Sequence, residues 1–160
     1  MPNYKDHIFQ ARHNLSFLEE IDKLTDFPDW KVTVCFYTSL HLINSHLAQF
    51  NIQYRKHTDV KNAINPYNLA SPTKLPEDEY IAYEALRSLS RRSRYLINEK
   101  DNKLKGIQPH FTYDKHYAKA IRHLDKLLKY FDNKFDLKVS SIKISCSEIS
   151  KSEKLNFFNS

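Results

Sequence analysis

The sequence PDWKVTVCFYTSLHLINSHLAQFN, residues 28–51, is the longest apolar-periodic segment of the chain. Its apolar side chains recur every three to four residues, the spacing that keeps one face of an α-helix against a core. Apolar residues also cover more than one face, so several neighbouring elements must pack around this helix. Asp26 can cap the free amide groups at its start, and Pro28 is tolerated in a first turn. We therefore predict a central helix over residues 28–51.

The composition favours helices throughout the chain. Its 160 residues include one glycine, whereas sheet proteins, phosphate-binding loops and dinucleotide folds need glycine where φ is positive or the backbone must approach a ligand. A chain of this length forms one domain. Helical spacing predicts further helices over residues 3–24 and 59–64, one that Pro76 opens and one that Thr112 caps. The fold class that we predict is all-α.

The composition changes at residue 135. The segment VSSIKISCSEISKSEK, residues 139–154, is rich in serine and carries apolar residues at partly alternating positions. This pattern is typical of a lone strand or a disordered tail. A single strand would have no sheet to join, so we expect an appendix that a partner or a second subunit orders. We divide the chain into a helical bundle, residues 1–134, and an irregular or short-strand C-terminal tail, residues 135–160.

The sequence contains no pattern for a metal, a cofactor or a membrane span. Cys35 and Cys146 are far apart and match neither a metal motif nor a disulfide framework, which fits a reducing compartment. His116 and His123 share a helix face but lack a carboxylate at ligand spacing. No uninterrupted apolar run reaches about 18 residues. We predict a cytoplasmic protein with no metal, no cofactor and no membrane contact.

Positive charge is concentrated in residues 87–130, which hold 12 basic and 4 acidic residues. In the fourth helix, arginine offers a planar fork of donors to phosphates, and Tyr80 or Tyr83 can stack on an unpaired base. The alternative is a solvated face whose arginines pair with acidic neighbours. In a helical projection, the arginines of this helix lie on the side opposite its predicted buried stripe. That stripe consists of Ala82, Leu86, Leu89, Ser93 and Leu96. The nucleic-acid-binding surface that we predict consists of Tyr80, Arg87, Arg91 and Arg94.

A polar strip crosses the central helix, where Tyr37 and His41 lie one turn apart. Polar groups on a buried helix must find hydrogen-bond partners. One interpretation is a polar pair that is satisfied inside the bundle. The other is that the fourth helix presents an arginine to His41 across a polar groove. The predicted groove contains Tyr37, His41, His57, Arg91, Arg94 and Tyr95.

Three stretches of the chain share a pattern with a known family. They are PDWKVTVCFYTSLHLINSHLA at residues 28–48, HTDVKNAI at residues 57–64 and YEALRSLSRRSRY at residues 83–95. Together they resemble the bacterial HEPN domains, named for higher eukaryotes and prokaryotes nucleotide-binding. The resemblance implies an up-and-down bundle of four to five helices that often forms homodimers. Many members are metal-independent ribonucleases in toxin–antitoxin, phage-defence and CRISPR settings, and others bind nucleotides or are inactive modules.

The chain departs from the ribonuclease signature of that family, an arginine and a following histidine with four to six residues between them. After Arg94 the next histidine is His110, and Glu99, Lys100 and Asp101 occupy the positions where the signature would place it. The resemblance thus implies either a catalytically silent member or one in which His41 or His57 supplies the imidazole from another helix. In the second case we predict that Arg94 stabilises charge on the phosphate and that His41 is the acid or base.

These observations lead to two expectations about function. The first is a HEPN-like protein that binds or acts on RNA or nucleotides in a toxin–antitoxin or phage-defence setting, as a homodimer and with a protein partner such as an antitoxin. The alternative is a non-catalytic helical module for protein–protein interaction. Binding to phosphates weakens steeply as salt rises, whereas an apolar protein interface responds little, so salt dependence separates the two.

Overall fold

The computed structural model describes residues 1–98 and 108–160 of the chain. Within these ranges the chain is all-α, with two short strands near its C-terminal end. The elements are α1 Tyr4–Asp22, α2 Pro28–Ala48, α3 His57–Ile64, α4 Glu77–Tyr95, α5 Asp114–Phe135, β1 Ile142–Lys143 and β2 Phe158–Asn159. The predicted fold class is confirmed, and each helix lies within a few residues of its predicted position.

Contacts between helices show an up-and-down order with α2 at the centre. Tyr4 stacks on Phe135 at 6.0 Å between ring centroids, so the start of α1 lies at the end of α5. His46 binds Lys134 from the end of α5, which makes α2 and α5 parallel. Ser93 lies 3.0 Å from Thr112, so the end of α4 meets the start of α5. The helix α2 buries 14 of its 21 residues, as its many-sided apolar pattern predicted.

The helix starts differ from the predicted caps. Phe27, not Asp26, occupies the N-cap of α2, and its backbone is left-handed with φ 68°. Asp26 lies one residue too early to reach the free amide groups of a helix that begins at Pro28. Likewise, Tyr113 rather than Thr112 is the N-cap of α5. The predicted helices were right, but the choice of capping residue was wrong in these cases.

The buried side of α4 is rotated from the predicted stripe. Its buried residues are Ala82, Tyr83, Leu86 and Ser90, whereas Leu96 is 39% exposed and ends the helix in a left-handed conformation. Because Tyr83 and Ser90 point into the bundle, the arginine side of α4 is turned toward α2 and α3. Arg87, Arg91 and Arg94 are therefore half-buried, not fully solvated.

The C-terminal tail packs on its own bundle. β1 pairs in parallel with β2, so the expectation that a strand here has no sheet to join was wrong. Carboxylates on two helices accept backbone amides of the tail: Asp22 binds Ser145, and Asp125 binds Asn156 and Phe157. Six apolar side chains complete the contact and are buried: Leu137, Ile142, Ile144, Cys146, Ile149 and Phe158.

Part of the sequence prediction concerns residues outside the described ranges. The positions where a family histidine would be sought, Glu99, Lys100 and Asp101, lie there. In the described ranges, no helix combines the length and the apolar character that crossing a membrane requires.

Candidate functional site

Arg94, in the last turn of α4, lies at the boundary between α4 and α2. Its guanidinium carbon is 5.0 Å from the centroid of the Tyr95 ring and 5.8 Å from that of Tyr37. Nη1 donates to the Tyr37 hydroxyl at 3.4 Å, and Nε donates to Ser90 Oγ at 3.1 Å. The two hydrogen bonds and the aromatic rings on either side fix the orientation of the guanidinium.

In the part of the chain that the structure describes, no neighbouring carboxylate balances the charge of Arg94. In residues 1–98 and 108–160, no carboxylate oxygen lies within 4.0 Å of its guanidinium. Arg87, two turns earlier, instead donates to Glu84 from Nε at 3.0 Å. A half-buried guanidinium without a counter-ion attracts an anion and offers it charge-assisted hydrogen bonds.

His57, the first residue of α3, is the histidine whose protonation Arg94 influences. Its ring meets Phe36 edge-on at 5.5 Å between centroids, and the same Phe36 ring lies 5.9 Å from the Arg94 guanidinium carbon. Burial lowers the pKa of His57, and the positive charges of Arg94 and Arg87 lower it further. The imidazole is therefore neutral near pH 7 and able to accept a proton.

His41 is turned toward α1. Its Nδ1 lies 3.1 Å from Nδ1 of His7, so one of the two rings donates and the other accepts. Burial lowers the pKa of His41, and the neighbouring His7 lowers it further. The structure thus places His57, and not His41, in the electrostatic field of Arg94, while the proposed catalytic role of His41 stays a prediction.

The other predicted RNA-binding residues have separate environments. Arg87 belongs to an ion-pair cluster in which Glu84 also binds Lys61 at 2.8 Å. Arg91 is half-buried on α4. Tyr83 is fully buried and has no exposed face for a base to stack on, whereas Tyr80 is half-buried and lines a groove on the other side of α4.

That groove, which we name the α4–α5 groove, has a volume of about 620 Å³. Its apolar wall includes Ile81 and Leu89. Its polar lining comprises four basic groups and three other side chains: Arg92, His116, Lys119 and His123, with Glu84, Ser88 and Asn98. In the described part of the chain, no group of three or more His, Cys, Asp or Glu side chains could hold a metal ion.

Sequence reasoning missed three neighbours of these sites. Ser90, which binds Arg94, is one helical turn from it, so the spacing could have indicated the contact. His7 is 34 residues from His41, and no local pattern connects the two. Arg92 was not assigned a role because projection of α4 alone does not show which residues face α5.

Comparisons with family models, with curated proteins and with solved structures find no match to this chain. The resemblance to HEPN domains therefore rests on the residues quoted above. The function has to be argued from the geometry and charge of the sites.

Proposed function

We propose that this chain is a HEPN-like RNA-binding protein that holds a phosphate of single-stranded RNA at the Arg94 cluster, defined as Tyr37, His57, Arg94 and Tyr95. The observation that carries the proposal is the half-buried guanidinium of Arg94 without a carboxylate within 4.0 Å in the described residues. A phosphate would supply the missing negative charge, and the planar fork of arginine matches its oxygens.

The neighbouring rings suit the rest of a nucleotide. Tyr95 is 58% exposed beside the guanidinium, so one face is open to an unpaired base. Stacking of a base on an aromatic side chain contributes to binding whatever the base is. This arrangement supports binding to single strands with little sequence preference.

The same cluster carries the groups needed for RNA cleavage without a metal. In this proposal, the neutral imidazole of His57 accepts the proton of a 2′-hydroxyl while the 2′-oxygen attacks the adjacent phosphorus. The bond from phosphorus to the 5′-oxygen breaks, the 5′-oxygen takes a proton from water, and the imidazolium of His57 returns its proton to the solvent. Arg94 stabilises the charge that develops on the phosphate oxygens. Because the arginine–histidine signature of the family is missing, binding and cleavage are tested separately.

Binding is tested by fluorescence anisotropy with a short single-stranded RNA. Arg94→Ala is expected to weaken binding about tenfold or more, the loss of one or two charge-assisted hydrogen bonds. Arg94→Lys keeps the charge but loses the planar fork, so it should recover only part of the affinity. Arg55→Ala is the matched control, since Arg55 is exposed two residues before His57. Equal affinity in wild type and Arg94→Ala would end the proposal.

Cleavage is tested with the same RNA in the presence of a metal chelator. We expect His57→Ala and Arg94→Ala to lose about a hundredfold or more of the wild-type rate, the contribution typical of a positioned acid–base group or charge stabiliser. His41→Ala tests the role predicted from the sequence. Loss in His41→Ala with activity retained in His57→Ala would assign the imidazole to His41. Equal background in all four proteins would remove the ribonuclease step and leave the binding proposal in place.

Salt separates RNA binding from the alternative of a protein interaction module. Each phosphate neutralised on a single strand contributes about −0.7 to the slope of log affinity against log salt concentration. Arg94→Ala should make this slope shallower, by about one neutralised phosphate. The homodimer and an antitoxin-like partner belong to the proposal through the family resemblance. Light scattering of the purified protein measures the first of these directly.

A further inference from the structure

We propose that the α4–α5 groove is a second site, separate from the Arg94 cluster, for a small phosphorylated molecule that also carries an apolar or aromatic part. Arg92, Lys119 and the Nε2–H of His116 would hold the phosphate, and Tyr80 with the apolar wall would contact the remainder. The inference does not depend on RNA binding at the Arg94 cluster.

Unbalanced positive charge is the first argument. In the ranges 1–98 and 108–160, neither Arg92 nor Lys119 has a carboxylate oxygen within 4.0 Å. The acidic side chain in the groove, Glu84, is already bound by Lys61 and Arg87. Arg92 Nε donates to the Phe111 carbonyl, which holds this side chain in place at the groove. The groove thus concentrates positive charge with little to neutralise it.

The second argument is the fixed proton of His116. Its Nδ1 accepts the backbone N–H of Tyr113 at 2.9 Å, so the proton of the neutral ring must be on Nε2. No hydrogen bond to Nε2 is present in the described part of the chain. His116 is 8% exposed and lines the groove, and its Nε2 keeps contact with solvent, so a ligand in the groove can replace water at this donor. An anion in the groove would satisfy it without a change in protonation.

The pKa values of His116 and His123 reflect the positive charge around the groove. Burial lowers the pKa of His116 to about 4, and Arg92, Lys115 and Lys119 contribute in the same direction. The pKa of His123 is lowered by burial and then by Lys126, Lys119 and Arg122. Among residues 1–98 and 108–160, no carboxylate opposes these shifts. A bound phosphate would therefore raise the pKa values of both imidazoles, which gives the site a spectroscopic signature.

The volume of the α4–α5 groove and the side chains that line it indicate the class of ligand. A volume of about 620 Å³ lies within the range of pockets for small molecules and is far larger than one phosphate ion needs. Tyr80, Ile81 and Leu89 supply apolar surface beside the cationic wall. A long RNA strand would follow an extended basic track, whereas this groove suits a compact ligand with a charged and an apolar end.

The test uses phenyl phosphate as the probe, with phenol and inorganic phosphate as the two halves of it. Calorimetry should show tighter binding of phenyl phosphate than of either half, and NMR titration should shift the imidazole signals of His116 and His123. Lys119→Ala should weaken binding about tenfold, as for one charge-assisted hydrogen bond. Lys129→Ala removes the same charge from an exposed position on the same helix and should have no such effect.

Three results would overturn the inference. Phenyl phosphate that binds no better than phenol would show that the phosphate is not recognised. Equal weakening by Lys119→Ala and Lys129→Ala would show a diffuse charge effect. Loss of RNA affinity in Lys119→Ala as large as that in Arg94→Ala would make the groove part of an RNA path. Failure of the RNA experiments above leaves this inference intact, because Arg94→Ala should bind phenyl phosphate like wild type.

Discussion

The network around Asp22 and the surface of α4 differ in how their charges are matched. Asp22 is 3% exposed, accepts hydrogen bonds from Tyr117 Oη at 2.8 Å and from the Ser145 amide at 2.6 Å, and lies 4.0 Å from Lys31 Nζ. On α4, Arg92 and Arg94 have no carboxylate within 4.0 Å in the described ranges.

The difference separates charges that the fold requires from charges that are available to a ligand. A buried charge is tolerated only when partners replace the water that it has lost. The Asp22 network satisfies this condition with groups from α1, α2, α5 and the tail. A cation without a counter-ion gains no ion-pair energy from the fold, and its charge stays available to an anion.

The largest effect on stability is expected from Asp22→Ala. The change leaves the ammonium of Lys31 buried without its counter-ion and also removes the acceptor of Tyr117 and Ser145. Loss of one partner of a buried ion pair typically costs about 3–5 kcal/mol in the free energy of unfolding. Urea denaturation of Asp22→Ala and of the exposed control Asp26→Ala measures the difference.

A milder variant keeps this prediction testable if Asp22→Ala does not fold. Tyr117→Phe removes only the hydroxyl that binds Asp22. It should cost about 1.5–3 kcal/mol, the value of a hydrogen bond to a charged group. If Asp22→Ala cost no more than its exposed control, the contrast between the two regions would fail.

The next effect is a loss of stability at low pH, and it concerns His46. Like Asp22, this side chain is buried and has hydrogen-bond partners. Burial lowers the pKa of His46 to about 4 from 6.5, and the neighbouring Lys134 contributes. The unfolded chain then takes up a proton first as pH falls. The stability from neutral His46 is complete above pH 6.5, falls as the pH drops toward 4, and is then constant. At about 1.4 kcal/mol per pKa unit, the loss reaches about 3 kcal/mol.

Urea denaturation at several pH values and constant ionic strength tests this. The buried histidines with lowered pKa values all act in the same direction, so wild type should lose stability on acidification. His46→Gln should begin less stable, since Thr73 and Lys134 lose their partner, but should lose less on acidification. Parallel curves for wild type and His46→Gln would show that His46 does not titrate in this range.

A smaller effect is expected where α5 holds the tail. The carboxylate of Asp125 accepts the amides of Asn156 and Phe157 and the side-chain amide of Asn156. Asp125→Ala should cost about 1.5–3 kcal/mol, because these donors lose a charged acceptor. Hydrogen exchange should show lost protection at residues 156 and 157 while α2 stays protected. Asn133→Ala, an exposed change on the same helix, is the control.

Regular spacing made the bundle predictable, and contacts between distant segments did not. The helix α2 follows from apolar residues every three to four positions, a signal within one segment. The tail was predicted as an appendix because its acceptors, Asp22 and Asp125, lie 123 and 31 residues away from the amides that they bind. No local pattern indicates that a helical carboxylate will cap a distant strand.

The candidate site shows the same limit. The sequence indicated that Tyr37, Arg94 and Tyr95 belong to one groove, and the structure brings these three together. It named His41 as the acid or base with His57 as the alternative, but it could not show which of the two lies near Arg94, because that depends on which neighbouring helix each side of α2 faces. It also placed Arg87 with Arg94 on one helix face, although Arg87 is held by Glu84 and Arg94 is not.

The smallest effect on the free energy of unfolding is expected from Arg94→Ala. The comparison between the Asp22 network and the surface of α4 depends on how small this effect is. The mutation removes a hydrogen bond to Tyr37, one to Ser90 and contacts with aromatic rings, and it leaves no carboxylate unpaired in the described residues. We expect a cost of about 1 kcal/mol or less, since half-exposed cation–π contacts are worth about 0.5–1 kcal/mol. Arg87→Ala breaks the pair with Glu84, whose side chains are 14% and 21% exposed, and should cost more. Urea denaturation of both variants beside wild type measures the two costs under one set of conditions.

A cost for Arg94→Ala that equals the cost for Asp22→Ala would make Arg94 a structural residue. A small cost combined with weakened RNA binding is what a residue placed for a ligand requires.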